Sequence, residues 1–262
     1  MEAIYTPENT TAAFQINWSI ALFGKTSLPD QTQWLAPLKD ATEIDGVRIL
    51  TSHRQSKNTL QFLVSTRPAT TPSDVIRSVK GRLQYIIRDC LPKAFRRNYH
   101  IESVGAVKAK VLDQYVAFQA TKHQVFDQAI QARLEAIQFH DVKVDLKKPL
   151  IGTYGQYLNS LQIVVENTEN WHEVRETQWR RVIAVIIRAS KKKGWLLSRI
   201  GLVSNHIHIL LGAAVTESPQ SVALSIMNNI AYVYEMTPIL KFSFYVGTFG
   251  GYDRGVVPQR ED

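Results

Sequence analysis

A chain of 262 residues, 45% apolar and 21% charged, has room for one large domain or two of about 100–130 residues in an ordinary water-compatible protein. No apolar run approaches the roughly 18 residues of a membrane span, the polar start does not read as a signal peptide, and a lone cysteine, Cys90, excludes an internal disulfide; a cytoplasmic, nucleoid-associated protein is expected, with Cys90 as packing. The net charge of +8 is uneven: Arg77, Lys80, Arg82, Arg88, Lys93, Arg96, Arg97, Lys108 and Lys110 face only Asp89 and Glu102 across that stretch, which favours a phosphate-rich partner.

In chain order, residues 1–12 read as a loose polar arm, residues 14–24 (FQINWSIALFG) as a strand and 31–41 as a short helix. Residues 46–66 read as a hairpin turning near 55–57. Thr71-Pro72-Ser73-Asp74 is a helix start, and Val75, Ile76, Val79, Leu83, Ile86 and Ile87 supply the apolar stripe that follows. Leu91-Pro92 ends that helix; a strand at 99–104, Gly105 and a helix over 108–120 come next. Residues 121–140 are again helical in pattern, and 143–155, with their lysines, proline and glycines, read as a linker.

The order then recurs: a strand at 161–167, a helix over 173–192, two strands in WLLSRIGLV and NHIHILLG, a helix over 218–234 and a last strand at 242–251. The chain is thus β-α-β-β-α-β written twice. Residues 58–63 (NTLQFL) lie over 205–210 (NHIHIL), Pro72 over Pro219, and Ser103-Val104-Gly105 near Thr248-Phe249-Gly250. This predicts an α+β fold of two ferredoxin-like units in tandem, each an antiparallel sheet with helices on one face, together a pseudo-dimer. The units are expected at 1–120 and 158–262, joined by a helical linker at 121–157.

Side chains two apart on a strand share a face, so His206 and His208 form a pair suited to a divalent metal. The first repeat has Thr59 and Gln61 there; it continues into AVKAKVLDQYVAFQA, whereas the second stops in a short polar tail after Gly251. Each repeat lacks what the other has.

Residues 78–119, with Lys80-Gly81, Ser103-Val104-Gly105 and Tyr115-x-x-x-Gln119, together with VSNHIHILLG and FYVGTFGG, resemble the single-tyrosine HUH transposases of bacterial insertion sequences and their REP-associated relatives. The resemblance spans about residues 12–120 and 158–252. It implies Mg²⁺ or Mn²⁺ held by His206, His208 and Gln119, and Tyr115 as the nucleophile that leaves a 5′-phosphotyrosine and a 3′-hydroxyl on single-stranded DNA. A phenol of pKa near 10 needs a metal and nearby cations to act so. Tyr115 and Gln119, four apart, share one helix face.

In that family two identical subunits pair; here both are fused, the first without histidines and the second without a tyrosine helix, with Met227-Asn228 in place of Lys-Gly. One composite site remains, whereas exchange of two ends commonly takes two; nicking, joining or sequence-specific binding is what one site leaves, and whether it also supports full transposition stays open. The expected substrate is a hairpin or repeat-derived single strand, gripped by Lys80, Arg82, Arg96 and Arg97 and by aromatics such as Trp18, Trp34 and Tyr85. Among the tyrosines Tyr252 is the strongest rival to Tyr115. Two other readings stand beside this one: a hairpin-DNA-binding protein without catalysis, and a metal-free CRISPR-type repeat-RNA endoribonuclease, whose glycine-rich loop GTFGGYDRGVV resembles. Residues 253–257 of that loop lie outside the described structure.

Overall fold

The computed structural model describes residues 3–122, 127–168 and 171–252. Its first unit runs β2 (Asn17–Gly24), α1 (Leu35–Ile44), β3 (Val47–Ser56), β4 (Thr59–Thr66), α2 (Pro72–Ile86) and β5 (Phe95–Val104). The second runs β9 (Ser160–Asn167), α6 (Glu176–Lys193), β10 (Leu196–Leu202), β11 (His206–Gly212), α7 (Pro219–Val233) and β12 (Leu240–Thr248). The sheets contain β3-β4-β2-β5 and β10-β11-β9-β12 in the same spatial order, so each unit is ferredoxin-like. The second helix of each starts alike: Thr71 and Ser218 accept the backbone N–H three residues on, each followed by a proline that fits the first helical turn.

Alternation along the strands sorts the faces. Leu60, Phe62 and Val64 on β4, and Ile207, Ile209 and Leu211 on β11, join the main buried core; Gln61, His206, His208 and Leu210 take the opposite face. Trp18 and Trp34 are fully buried in that core, with Trp34 tilted against Phe62 at 6.0 Å; they hold the first unit together and do not stack bases, as the sequence reading had them do. Tyr85 is 63% exposed.

The two sheets exchange strands. β1 (Thr11–Gln15) runs parallel to β12 in the second sheet, whereas β2, one residue later, belongs to the first. Reciprocally β8 (Gly155–Leu158) runs parallel to β5 in the first sheet, and β9 begins after Asn159. The expected single strand over 14–24 is therefore two strands split at Ile16. At the crossing, Ser103 Oγ donates to the Phe249 carbonyl and accepts from Ser160 N, both at 3.1 Å. Thr248 Oγ1 does the same with the Val104 carbonyl at 2.6 Å and Asn17 N at 2.8 Å. The short motif that recurs in the sequence is thus the contact point about which the two halves are related.

Three further expectations change. The arm is held in place at Ile4 and Tyr5: Tyr5 is 1% exposed, its hydroxyl bonds both backbone groups of Leu240, and Asn228 grips its backbone from α7. Asn228, which replaces the glycine of Lys-Gly in the second repeat, anchors this segment. Residues 121–157 are only partly helical: α4 (Gln119–Lys122) and α5 (Gln128–Ala136) lead to β6 (Phe139–His140), which pairs β10, and to β7 (Leu150–Gly152), which pairs β8. Residues 123–126 of this stretch are outside the described residues. Cys90 is exposed, its thiol over the Ile87 carbonyl, because the last turn after α2 opens to solvent.

Candidate composite site

Beyond β5 the chain crosses to the second unit and forms α3 (Ala109–Ala117). This helix lies on the histidine-bearing face of the second sheet. Leu112 and Val116 pack with Leu210 and Phe249 in a small buried cluster apart from the main core. The Asp113 carboxylate takes the Arg199 guanidinium of β10 in two hydrogen bonds, at 2.7 and 3.1 Å. Gly201 permits the close approach: a Cβ there would stand 2.5 Å from Val116 Cγ1 and 2.9 Å from the Val116 carbonyl oxygen.

This docking brings Tyr115 to the histidines. Its ring meets that of His208 edge-on, 5.7 Å between centroids, and the His206 and His208 rings are 5.0 Å apart. Tyr115 stays 41% exposed despite this contact. The Lys122 ammonium lies 5.4 Å from the tyrosine ring centre, a nearby cation that sequence reasoning missed. His206 Nδ1 is 2.8 Å from Asn205 Oδ1, and His208 Nδ1 is 3.5 Å from Gln162 Nε2. Directly across from His206, Glu166 is engaged by Lys241 at 2.7 Å.

Gln119 stands one turn beyond Tyr115, in α4, which packs against β10. It is fully buried, and neither its amide oxygen nor its nitrogen has a hydrogen-bond partner among the described residues. A buried amide left so costs about 1–3 kcal/mol, which a water, an ion or a local role can account for; His100, Asn159, Trp179 and Ser190 also have buried polar atoms of this kind. Among the described residues no three His, Cys, Asp or Glu side chains gather as a metal cluster. A cation held by these residues would rest on two imidazoles and an amide oxygen; the imidazoles suit the softer first-row metals, and the oxygen donor extends the set to Mn²⁺ more readily than to Mg²⁺. The orphaned amide beside the tyrosine helix fits that role.

Tyr252, the rival nucleophile, goes the other way. Its hydroxyl lies 3.4 Å from Thr51 Oγ1 on β3 of the first unit, the reciprocal of the crossing made by α3. The first unit's counterpart site is closed: Gln61 donates to Ser19 Oγ and accepts from Gln55, with no imidazole at either repeated position.

The four expected DNA contacts sit on the first unit, on α2 and the start of β5. Lys80 donates to the Arg96 and Arg97 carbonyls at 2.6 and 3.0 Å, and burial pulls its pKa below the ordinary lysine value. Arg82 forms a two-pronged pair with Asp45, whose carboxyl the Arg82 and Ser78 hydrogen bonds hold below the usual range. Arg96 is half-buried and Arg97 exposed. Arg77 and Arg82 line an open groove of about 810 Å³ with Arg67 and Tyr85. Lys108 and Lys110 belong elsewhere, with Lys147 around a cavity of about 370 Å³ beside the start of α3. The basic stretch is therefore divided between two surfaces. Among the described residues no helix is long and apolar enough to cross a membrane.

No family model matches the chain, and no curated protein does. Among solved structures it is similar to a REP-associated tyrosine transposase bound to a REP hairpin, at 12% identity and a TM-score of 0.32, over 36% of this chain and 58% of that one. The chain thus matches less than two thirds of that structure's length. A protein from Deinococcus radiodurans R1 assigned as a transposase matches at 13% identity and a TM-score of 0.31, over 43% of this chain and 95% of that one. A protein assigned as a glycine cleavage system transcriptional repressor matches at 10% identity and a TM-score of 0.23, over 90% and 98%. At such scores these likenesses are too distant to say what the chain does.

Proposed function

We propose that the chain nicks single-stranded DNA and transfers the strand through a tyrosine, at one site composed across its two units. The observation that carries this reading is the meeting of Tyr115, from the first repeat, with His208, from the second. Nothing in a shared core requires an exposed tyrosine to be delivered there by a helix, an ion pair and a glycine notch.

In this reading His206, His208 and Gln119 hold Mg²⁺ or Mn²⁺. When bound, the ion polarises the scissile phosphodiester and offsets charge on the leaving oxygen. Tyr115 attacks phosphorus with its phenolic oxygen; the bond to the 3′-oxygen breaks, and that oxygen leaves as a 3′-hydroxyl. The phenolic proton passes to solvent, and Lys122 favours the phenolate. A second 3′-hydroxyl reverses the step and joins a new strand. Lys108, Lys110 and Lys147 offer phosphate contacts where the strand would enter beside α3, and Arg67, Arg77, Arg82 and Tyr85 a second grip. The partner is a hairpin or repeat-derived single strand, and a single chain suffices for the site.

The test is incubation with labelled single strands from the DNA around its own gene, with Mn²⁺, and gel detection of a covalent protein–DNA adduct. Wild type and Tyr252→Phe should form it and Tyr115→Phe should not. An adduct that survives Tyr115→Phe removes this assignment. Binding without any adduct in the wild type would favour a hairpin-binding protein.

A further inference from the structure

We infer that Gln162 is a positioning residue for His208: its amide oxygen accepts a hydrogen bond from His208 Nδ1–H and so leaves the Nε2 lone pair for the cation site. This deepens the metal-site reading above and rests on it. An imidazole that binds through Nε2 must carry its proton on Nδ1, and the partner at Nδ1 decides which tautomer is present.

Both imidazoles of the site meet an amide side chain at that atom. Asn205 Oδ1 lies 2.8 Å from His206 Nδ1, a contact in which the oxygen accepts when Nδ1 has the proton. For His208 an amide neighbour is Gln162 on β9, whose Nε2 lies 3.5 Å from Nδ1 and whose directly paired residue is Leu210. Gln162 is therefore a diagonal neighbour of His208, within reach of a long side chain on the same face. Its amide needs a half-turn about its last torsion to bring Oε1 to Nδ1, a change that costs no packing because the two ends have the same shape. Val164, directly across from His208, has no polar atom to offer.

The repeat gives an independent indication. Ser19 and Gln61 occupy in the first unit the places of Gln162 and His208 in the second; each of Ser19 and Gln162 pairs with the leucine two beyond, Leu63 and Leu210. There Gln61 Nε2 donates to Ser19 Oγ at 3.0 Å. The same two positions thus touch in both units. Where the strand has a histidine, its neighbour is a long amide that can accept; where it has glutamine, the neighbour is a hydroxyl that satisfies it.

Nitrogen-15 NMR of the metal-free protein, with the imidazoles neutral, reads the His208 tautomer directly, and manganese EPR titration reads cation affinity. Wild type should show the Nδ1–H tautomer. Gln162→Leu should lose that preference and bind Mn²⁺ about 10–100-fold more weakly, the usual effect of removing such an outer partner. Gln162→Glu, which accepts but cannot donate, should keep both the tautomer and the affinity. Unchanged tautomer and affinity in Gln162→Leu overturn the inference. So does an Nε2–H tautomer in Gln162→Glu, which decides the matter even if the leucine variant does not fold. If wild type binds no Mn²⁺ yet its tautomer responds to Gln162, the metal reading fails and the positioning role stands.

Discussion

Gln119 offers the sharpest contrast between folding and function at a single residue. Its amide is buried with neither polar atom partnered among the described residues, so replacing it by leucine removes a desolvation cost at nearly constant volume. In metal-free protein Gln119→Leu should melt no lower than wild type, with a gain of up to about 1–2 kcal/mol. Nicking should fall by at least about tenfold, the scale of one lost ligand or its support. Chemical denaturation without metal and a nicking assay with Mn²⁺ check the two halves; a destabilised variant with full activity would make Gln119 a core residue. At this scale the same-face histidines follow from strand alternation, whereas Tyr115 and Gln119 were singled out by the family resemblance. Gln162 and the Asp113–Arg199 pair were not legible, because each acts through a neighbour distant in the chain, and Lys122 was not, because it lies beyond the end of α3 and reaches back over the Tyr115 ring. Trp18 and Trp34 misled because an aromatic on an alternating strand or amphipathic helix has the same appearance whether it meets a base or a core.

Among the elements, α3 matters most, since its seat on β10 and β11 decides where Tyr115 points. A methyl group at Gly201 would press on both the Val116 side chain and its carbonyl, and relief requires the helix to lift. Gly201→Ala should cost about 1–3 kcal/mol of stability as an overpacked contact. It should also cut adduct formation far more than DNA binding, measured by gel and by anisotropy on the same strand. An adduct yield that merely tracks the folded fraction would show that the notch does not aim the tyrosine. The loop before α6 sets the other side of the site. Glu173 N and Asn167 Nδ2 both hold the Ser204 carbonyl, just ahead of His206, at 2.9 and 3.0 Å. Burial raises the Glu173 carboxyl, but hydrogen bonds from Arg175 and from the Tyr234 hydroxyl outweigh it and leave the pKa below the ordinary range. A depressed carboxylate stabilises the fold fully above its unfolded value, about pH 4.3, and loses that contribution as pH falls through the lower folded value. Glu173→Gln should therefore be less stable than wild type at neutral pH by about 1.5–3 kcal/mol. Thermal melts of the two should converge in acid; a constant gap across pH would mean the ionised form is not what matters. The helix and strand types read well from periodicity. The strand boundary at Ile16 did not, because an unbroken apolar pattern cannot show that its two ends belong to different sheets.

As a whole molecule the chain behaves as a dimer that cannot dissociate. Tyr115 and the histidines come from different repeats of one chain, so the site forms at the high effective concentration that a covalent connection provides. Mixing Tyr115→Phe with His206→Ala should restore no adduct at any ratio, by the same gel assay. Recovery would show that tyrosine helices pass between chains. The tandem β-α-β-β-α-β order was visible as a repeat in the sequence, since motifs such as Ser103-Val104-Gly105 and Thr248-Phe249-Gly250 return in register. The exchange of β1 and β8 between sheets was not, since pairing with a strand of the other repeat, Thr11 with Ser243 and Tyr99 with Gly155, leaves no local trace. That exchange has a consequence in time. Thr11 of β1 finds its partner at Ser243 of β12. At typical synthesis rates of about 5–20 residues per second, β1 waits on the order of 10–50 s for that strand to be made. A strand left so long beside the ribosome is a hazard unless it is unattractive to other edges. β1 is short and reads Thr-Ala-Ala-Phe-Gln, with one large apolar side chain in five residues. Its plain composition is what a segment needs if it must remain idle while the rest of the chain emerges.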